Sequence, residues 1–184
     1  MLKVLGILLV VLVVLIGTMF AWFVSRNNRP AGSNPVQLGE DDFETKRALV
    51  VFQPSQSGIA DRTAYAIAEG LLENGFFVLM EYPGEHLASD TREYAVVVFG
   101  SPVYVGRPSE VLLAYMERAL FMDQQEVYLF STGSVNDAPE WESMEKMLDG
   151  KVTVMGKRKF FTDQEEALLL DARQFGQRMG EASE

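Results

Sequence analysis

An α/β domain, a parallel sheet of five strands with helices on both faces, preceded by one transmembrane helix, is the fold this chain predicts. Three observations lead to it. Five short apolar runs rich in β-branched residues alternate with amphipathic helical segments, the order expected of strands joined by helical crossovers. The runs are nearly continuously apolar, as strands buried on both faces are. Residues 4–24, VLGILLVVLVVLIGTMFAWFV, carry no charge over 21 positions, and at 1.5 Å per residue such a helix crosses roughly 30 Å of hydrocarbon.

The apolar leader comes first in the chain. A secretory signal has an apolar core of about 7–15 residues and a small-residue cleavage motif. This core is longer and closes on Phe20-Ala21-Trp22-Phe23, aromatic residues of the kind that settle at a membrane interface, so it reads as a retained anchor. Lys3 and the terminal amine nearly balance Arg26 and Arg29, and Lys46 and Arg47 tilt the count toward a cytoplasmic C-terminal domain. The expectation is therefore a single-pass protein of the cell membrane. Residues 25–45 join Asn, Pro, Gly and Ser to Glu40, Asp41, Asp42 and Glu44 without an apolar period, which reads as a flexible acidic linker. The folded domain is expected over 46–180.

Within that domain Arg47–Phe52 is the first buried strand. Ala64, Ile67, Ala68, Leu71 and Leu72 recur at helical spacing over 61–74, and Gly75 stands where a C-terminal cap belongs. Residues 76–80 form the second strand, and 82–93, broken by Pro83 and Gly84, hold little more than a turn of helix. The third strand is 94–99, followed by the loop 100–108 and a helix over 109–120. The fourth strand is 126–130, with Ser131-Thr-Gly-Ser134 at its C-terminal end. A helix over 139–148 ends at Gly150, the fifth strand is 151–155, and a last amphipathic helix runs over 163–179.

Composition narrows the function. The 184 residues hold 26 acidic and 16 basic side chains, a formal charge of −10. The first 39 contain no carboxylate and only Lys3, Arg26 and Arg29, so the remainder carries 13 cations against 26 anions, or −13. A domain this acidic repels polyphosphate, which excludes sequence-independent nucleic-acid binding. With no cysteine and His86 as the sole histidine, disulfides, thiolate nucleophiles, Cys-ligated clusters and multi-imidazole sites are excluded. His86 itself reads as a surface side chain.

Ligands of such sheets bind outside the strand C-termini, which nominates loops 53–60, 100–108 and 131–138. In the first, Ser55-Gln56-Ser57-Gly58-Ile59-Ala60 lies between a buried strand and a helix N-terminus. Small hydroxylated residues let backbone N–H groups converge, glycine permits positive φ, and the helix start favours an anion. The arrangement suits a phosphate, or simply caps the helix. Neither a Walker Lys-[ST] nor G-x-G-x-x-G occurs. Ser143-x-x-Lys146 has the spacing of a Ser-x-x-Lys nucleophile but lies mid-helix without companion motifs. Glu140, Glu142 and Glu145 fit a solvated helix face better than a metal site, and Lys157-Arg158-Lys159 reads as a solubilising loop.

With Gly100-Ser-Pro-Val-Tyr104 after the third strand, residues 47–178 resemble the flavodoxin-like family of FMN-binding proteins. That resemblance implies a strand order of 2-1-3-4-5 and FMN as cofactor. It places Ser55, Gln56, Ser57, Gly58, Ile59 and Ala60 around the phosphate. Ser101, Pro102, Val103, Tyr104 and Gly106 would border the isoalloxazine, with Thr132 and Gly133 on its other side and Tyr104 stacking on the ring. Two positions depart from the family's first loop: Phe52 and Ser55 are one residue too far apart, and Ala60 stands where a second hydroxyl is expected. Arg62 or Arg107 would offset the lost hydrogen bond by charge. The function implied is membrane-tethered electron transfer with a redox partner protein or a quinone. The alternatives are a quinone- or porphyrinogen-linked oxidoreductase of the same fold and an interaction domain that has lost FMN.

Overall fold

Alternate residues of Arg47–Phe52 enter opposite cores. Ala48, Val50 and Phe52 pack on one side of the sheet, Leu49 and Val51 on the other, as the two-residue period of a strand requires. The computed structural model describes residues 2–135, 138–161 and 163–180. Its elements in order are α1 (Leu2–Asn27), β1 (Val36–Leu38), β2 (Arg47–Phe52), α2 (Ile59–Glu73), β3 (Phe77–Glu81) and β4 (Val96–Pro102). There follow α3 (Glu110–Arg118), β5 (Glu126–Gly133), α4 (Glu140–Leu148), β6 (Val154–Phe161) and α5 (Glu165–Gln177). The first core lies between the sheet and α2 and α5, around Ile67, Leu71, Leu168 and Phe175. The second lies under α3 and α4, around Leu112, Tyr115, Met144 and Leu148.

The sheet has six strands in the order β1-β3-β2-β4-β5-β6, which corrects the five-stranded, wholly parallel sheet of order 2-1-3-4-5. The added strand, β1, runs antiparallel to β3, with Val36 opposite Met80 and Leu38 opposite Val78. It lies inside the stretch read as a linker, where flanking Pro35 and Gly39 and a length of three residues left no periodic signal. The other pairs, β3 with β2, β2 with β4, β4 with β5 and β5 with β6, are parallel.

Two further corrections follow. Among the described residues no helix is long and apolar enough to cross a membrane, which overturns the transmembrane helix expected over 4–24. The described large apolar side chains of α1, from Ile7 to Trp22, are exposed and join neither core. The fifth predicted strand is also displaced: β6 occupies 154–161, so Lys157, Arg158 and Lys159 are strand residues rather than a loop. Each meets a carboxylate of a covering helix, Lys157 with Glu145 at 2.7 Å, Arg158 with Asp171 at 2.8 Å and Lys159 with Glu140 at 2.9 Å. Charged side chains on an edge strand guard its open hydrogen-bonding edge.

Candidate functional site

β2, β4 and β5 end side by side, and their loops meet at one edge of the sheet. The first loop turns on Gly58, whose φ of 71° is open to glycine and strained for other residues. Its N–H bonds Ser55 O at 3.0 Å, and Ser55 Oγ accepts the N–H of Ala60 at 3.0 Å. Ser57 Oγ lies 3.4 Å from both Ser55 Oγ and the Ile59 N–H. The serines therefore cap the first turn of α2 while presenting their hydroxyls to the loop. Asp61 joins from α2: one carboxylate oxygen accepts the Ser55 N–H at 3.1 Å and the other the Tyr82 hydroxyl at 3.1 Å.

The second and third loops are fastened together by Val103 N–H donating to Thr132 O at 2.9 Å. Tyr104 and Arg107 exchange backbone hydrogen bonds at 3.2 and 3.1 Å around a two-residue turn. Both turn residues, Val105 at 55° and Gly106 at 73°, have positive φ, the geometry of a tight hairpin. For β-branched Val105 this is strained, and such strain gathers at functional loops. Tyr104 crosses to the first loop, where its hydroxyl bonds the backbone of Gln56. Burial holds its phenol above the usual range, and the Gln56 hydrogen bond only partly offsets this.

Between the three loops lies a cavity of about 390 Å³. Ser55, Ser57 and Ile59 form one wall, Pro102, Val103 and Tyr104 a second, and Thr132 and Gly133 a third. An adjoining hollow of about 440 Å³ takes in Gly106 together with Val105, Val135 and Lys159. The remaining predicted residues are near but not in the walls. Gln56 and Gly58 shape the loop, Ala60 is buried, and Ser101 is fully buried. The Ser101 hydroxyl accepts the Ser109 N–H at 2.8 Å and donates to Pro102 O at 2.8 Å, so it braces the second loop. Asn136 and Asp137 of the third nominated loop lie outside the described residues.

Three features go beyond the sequence reading, which named Arg62 and Thr132 but neither the pairing of the first nor the isolation of the second. Arg62 and Glu165 line the cavity and pair with each other, Nε to Oε1 at 2.6 Å. Lys159 and Glu140, 8% and 0% exposed, form a buried ion pair, with Ser131 Oγ donating to the same Glu140 oxygen at 2.8 Å. Glu140 thus leaves the solvated helix face assigned to it, because it follows Pro139 in the first turn of α4 and turns inward to β5 and β6. Lastly, Thr132 is 2% exposed and its hydroxyl has no hydrogen-bond partner among the described residues. An orphaned buried hydroxyl costs free energy, and this one sits in the cavity wall. No group of three or more His, Asp or Glu side chains that could hold a metal ion occurs among the described residues. His86 lies 3.7 Å from Glu81 and is partly exposed, away from the cavity.

Comparison with known proteins gives the fold a context. No family model matches the chain, and no curated protein matches it. Solved structures do. The metal-soaked Flv1 flavodiiron core from Synechocystis sp. PCC6803 is similar with a TM-score of 0.60 and 16% identity, over 73% of this chain and 35% of that one. This chain thus spans about a third of that protein's length. A flavodoxin from the domain Archaea matches with a TM-score of 0.52 and 19% identity, over 71% of this chain and 94% of its own. A flavodoxin, WrbA-like protein from Agrobacterium tumefaciens matches with a TM-score of 0.54 and 16% identity, over 73% and 94%. The structural neighbours are flavodoxin-like proteins, and at these identities the likeness establishes the fold.

Proposed function

From the flavodoxin-like fold as premise, we propose that this chain is an FMN-binding electron-transfer protein. The observation that carries the reading is Thr132, a buried hydroxyl without a partner, in the wall of a cavity framed by the three loops at the sheet's C-terminal edge. The hydroxyl oxygen is closed to solvent, so a ligand edge bearing carbonyl or N–H groups would satisfy it once the side chain turns into the cavity. The Ser55 and Ser57 hydroxyls and the start of α2 are the groups that would hold the phosphate, joined by the Gln56 backbone where the Tyr104 hydroxyl gives it up. Tyr104 would cover the ring and exclude water. When bound, FMN supplies the redox chemistry, and the chain supplies position and electrostatics. The acidic domain favours a basic protein as electron donor or acceptor, by steering.

FMN titrated into the full chain is expected to lose fluorescence and shift its visible spectrum at micromolar protein. Unchanged fluorescence overturns the reading. Turnover of NAD(P)H with a quinone would instead mark an enzyme, whereas reduction without turnover marks a carrier. A second reading, an interaction domain without FMN, draws on Asp61 and Tyr104. These already occupy the Ser55 N–H and the Gln56 backbone, so the loop is satisfied without an anion. The same titration decides between them.

A further inference from the structure

Resting on the FMN reading, we infer that Arg62 is the residue that makes the site prefer the phosphorylated flavin to the unphosphorylated one, by exchanging Glu165 for the phosphate. The cavity walls contain two charged side chains, Arg62 and Glu165. While they pair, their charges cancel, and the lining side chains offer a dianion no net charge beyond the dipole of the α2 start.

The Arg62 guanidinium already lies over the first loop. Nη1 is 3.4 Å from Ser57 O and stands 2.9 Å from where a Cβ on Gly58 would be, while Nε holds Glu165. It is therefore within one side-chain rotation of the loop where Ala60 supplies no hydroxyl. A guanidinium fork can donate two hydrogen bonds to one phosphate, which a point charge cannot do as well. The present pair is weakly held, since both side chains are close to half exposed, 46% and 49%. Exposed pairs of that kind contribute little, so Arg62 can leave Glu165 at small cost. Thr132, which lines the same cavity and carries an unpartnered buried hydroxyl, is the second observation that points to a ligand there.

The test is four dissociation constants per protein pair: FMN and riboflavin, measured by fluorescence quenching on the full chain and on each variant. Arg62→Gln is expected to weaken FMN by about ten- to a hundredfold, the range of a lost hydrogen bond to a charged group, and to leave riboflavin unchanged. Arg62→Lys should fall between. Glu165→Gln should tighten FMN, again without effect on riboflavin, because it releases the guanidinium. Opposite effects of the two substitutions separate this role from a structural one, in which breaking the pair from either side would weaken binding alike. Equal losses for both flavins in Arg62→Gln, no loss at all, or weaker FMN binding in Glu165→Gln overturns the inference and leaves the FMN reading standing. If the unaltered chain binds neither flavin, the FMN reading fails and this inference with it. Unfolding midpoints of the variants, expected to be unchanged at these exposed positions, exclude misfolding as the cause.

Discussion

Thr132 shows how one residue can be a poor choice for stability and a good one for a site. Its neighbours in β5 are satisfied, Ser131 by Glu140 and the Thr132 carbonyl by the Val103 N–H, while its own hydroxyl is buried without a partner among the described residues. Thr132→Val keeps the shape and removes the orphan. It is expected to raise stability by about 1 kcal/mol, the desolvation cost recovered, and to weaken FMN several-fold. Thermal unfolding and fluorescence titration of the one variant check both; a loss of stability would mean that the hydroxyl has a partner after all. Thr132, Gly133, Tyr104 and the serine loop were readable beforehand because strand-end loops of a parallel sheet are few and their small residues stand out. Lys159 and Glu140 were not, since nothing in a charge cluster or an acidic helix start says which member will turn inward to meet the other.

Helices α2 and α5 set where Arg62 and Glu165 meet, and two glycines set how closely these helices pack. A methyl on Gly70 would run into the Arg173 carbonyl oxygen and the Gln177 nitrogen, and one on Gly176 into the Ile67 carbonyl oxygen. These obstacles are backbone atoms, which move only if a helix moves. On the exposed flank Glu73 takes hydrogen bonds from Arg173 and Gln177, and the first of these, then the second, holds its carboxyl below the ordinary range. Gly70→Ala, normally favourable inside a helix, is therefore expected to destabilise by about 3 kcal/mol, at the upper end of overpacking costs. Urea unfolding should show a lower midpoint with an unchanged slope, and an unchanged or higher midpoint would contradict the close packing. The central strands were legible because burial on both faces leaves a continuous apolar run. β6 was misplaced because an edge strand buries little beyond Phe160 and otherwise shows polar or half-exposed residues, so the apolar residues upstream drew the assignment.

Across the whole molecule, the stretch between α1 and β2 does more than connect. Asn28 Oδ1 accepts the Glu110 N–H at the start of α3, and the Arg29 carbonyl accepts Gln53 Nε2 at the end of β2. Ser33 and Asn34 then reach Glu81 at the end of β3, the Ser33 hydroxyl and the Asn34 N–H each donating at 2.8 Å, and β1 pairs with β3 beyond them. Glu81 is 4% exposed; among the described residues its remaining hydrogen-bond donor is the Tyr82 N–H at 2.8 Å, with His86 Nε2 farther off at 3.7 Å. A carboxylate so buried depends on its hydrogen bonds, and removing donors leaves an uncompensated charge rather than a neutral gap. A chain shortened to begin at residue 28 should unfold in urea at the same midpoint as the full chain, because the described apolar side chains of α1 belong to neither core. One beginning at residue 40 should lose about 3–6 kcal/mol, since it removes two hydrogen bonds to the Glu81 carboxylate and hydrogen bonds to charged groups contribute about 1.5–3 kcal/mol each. It should also associate through the uncovered edge of β3. Adding Glu81→Leu to the shorter chain should recover part of that loss if the stranded charge is its cause. If Glu81→Leu recovers nothing, the loss belongs to the β1 pairing and the packing of Val36 and Leu38 on the core.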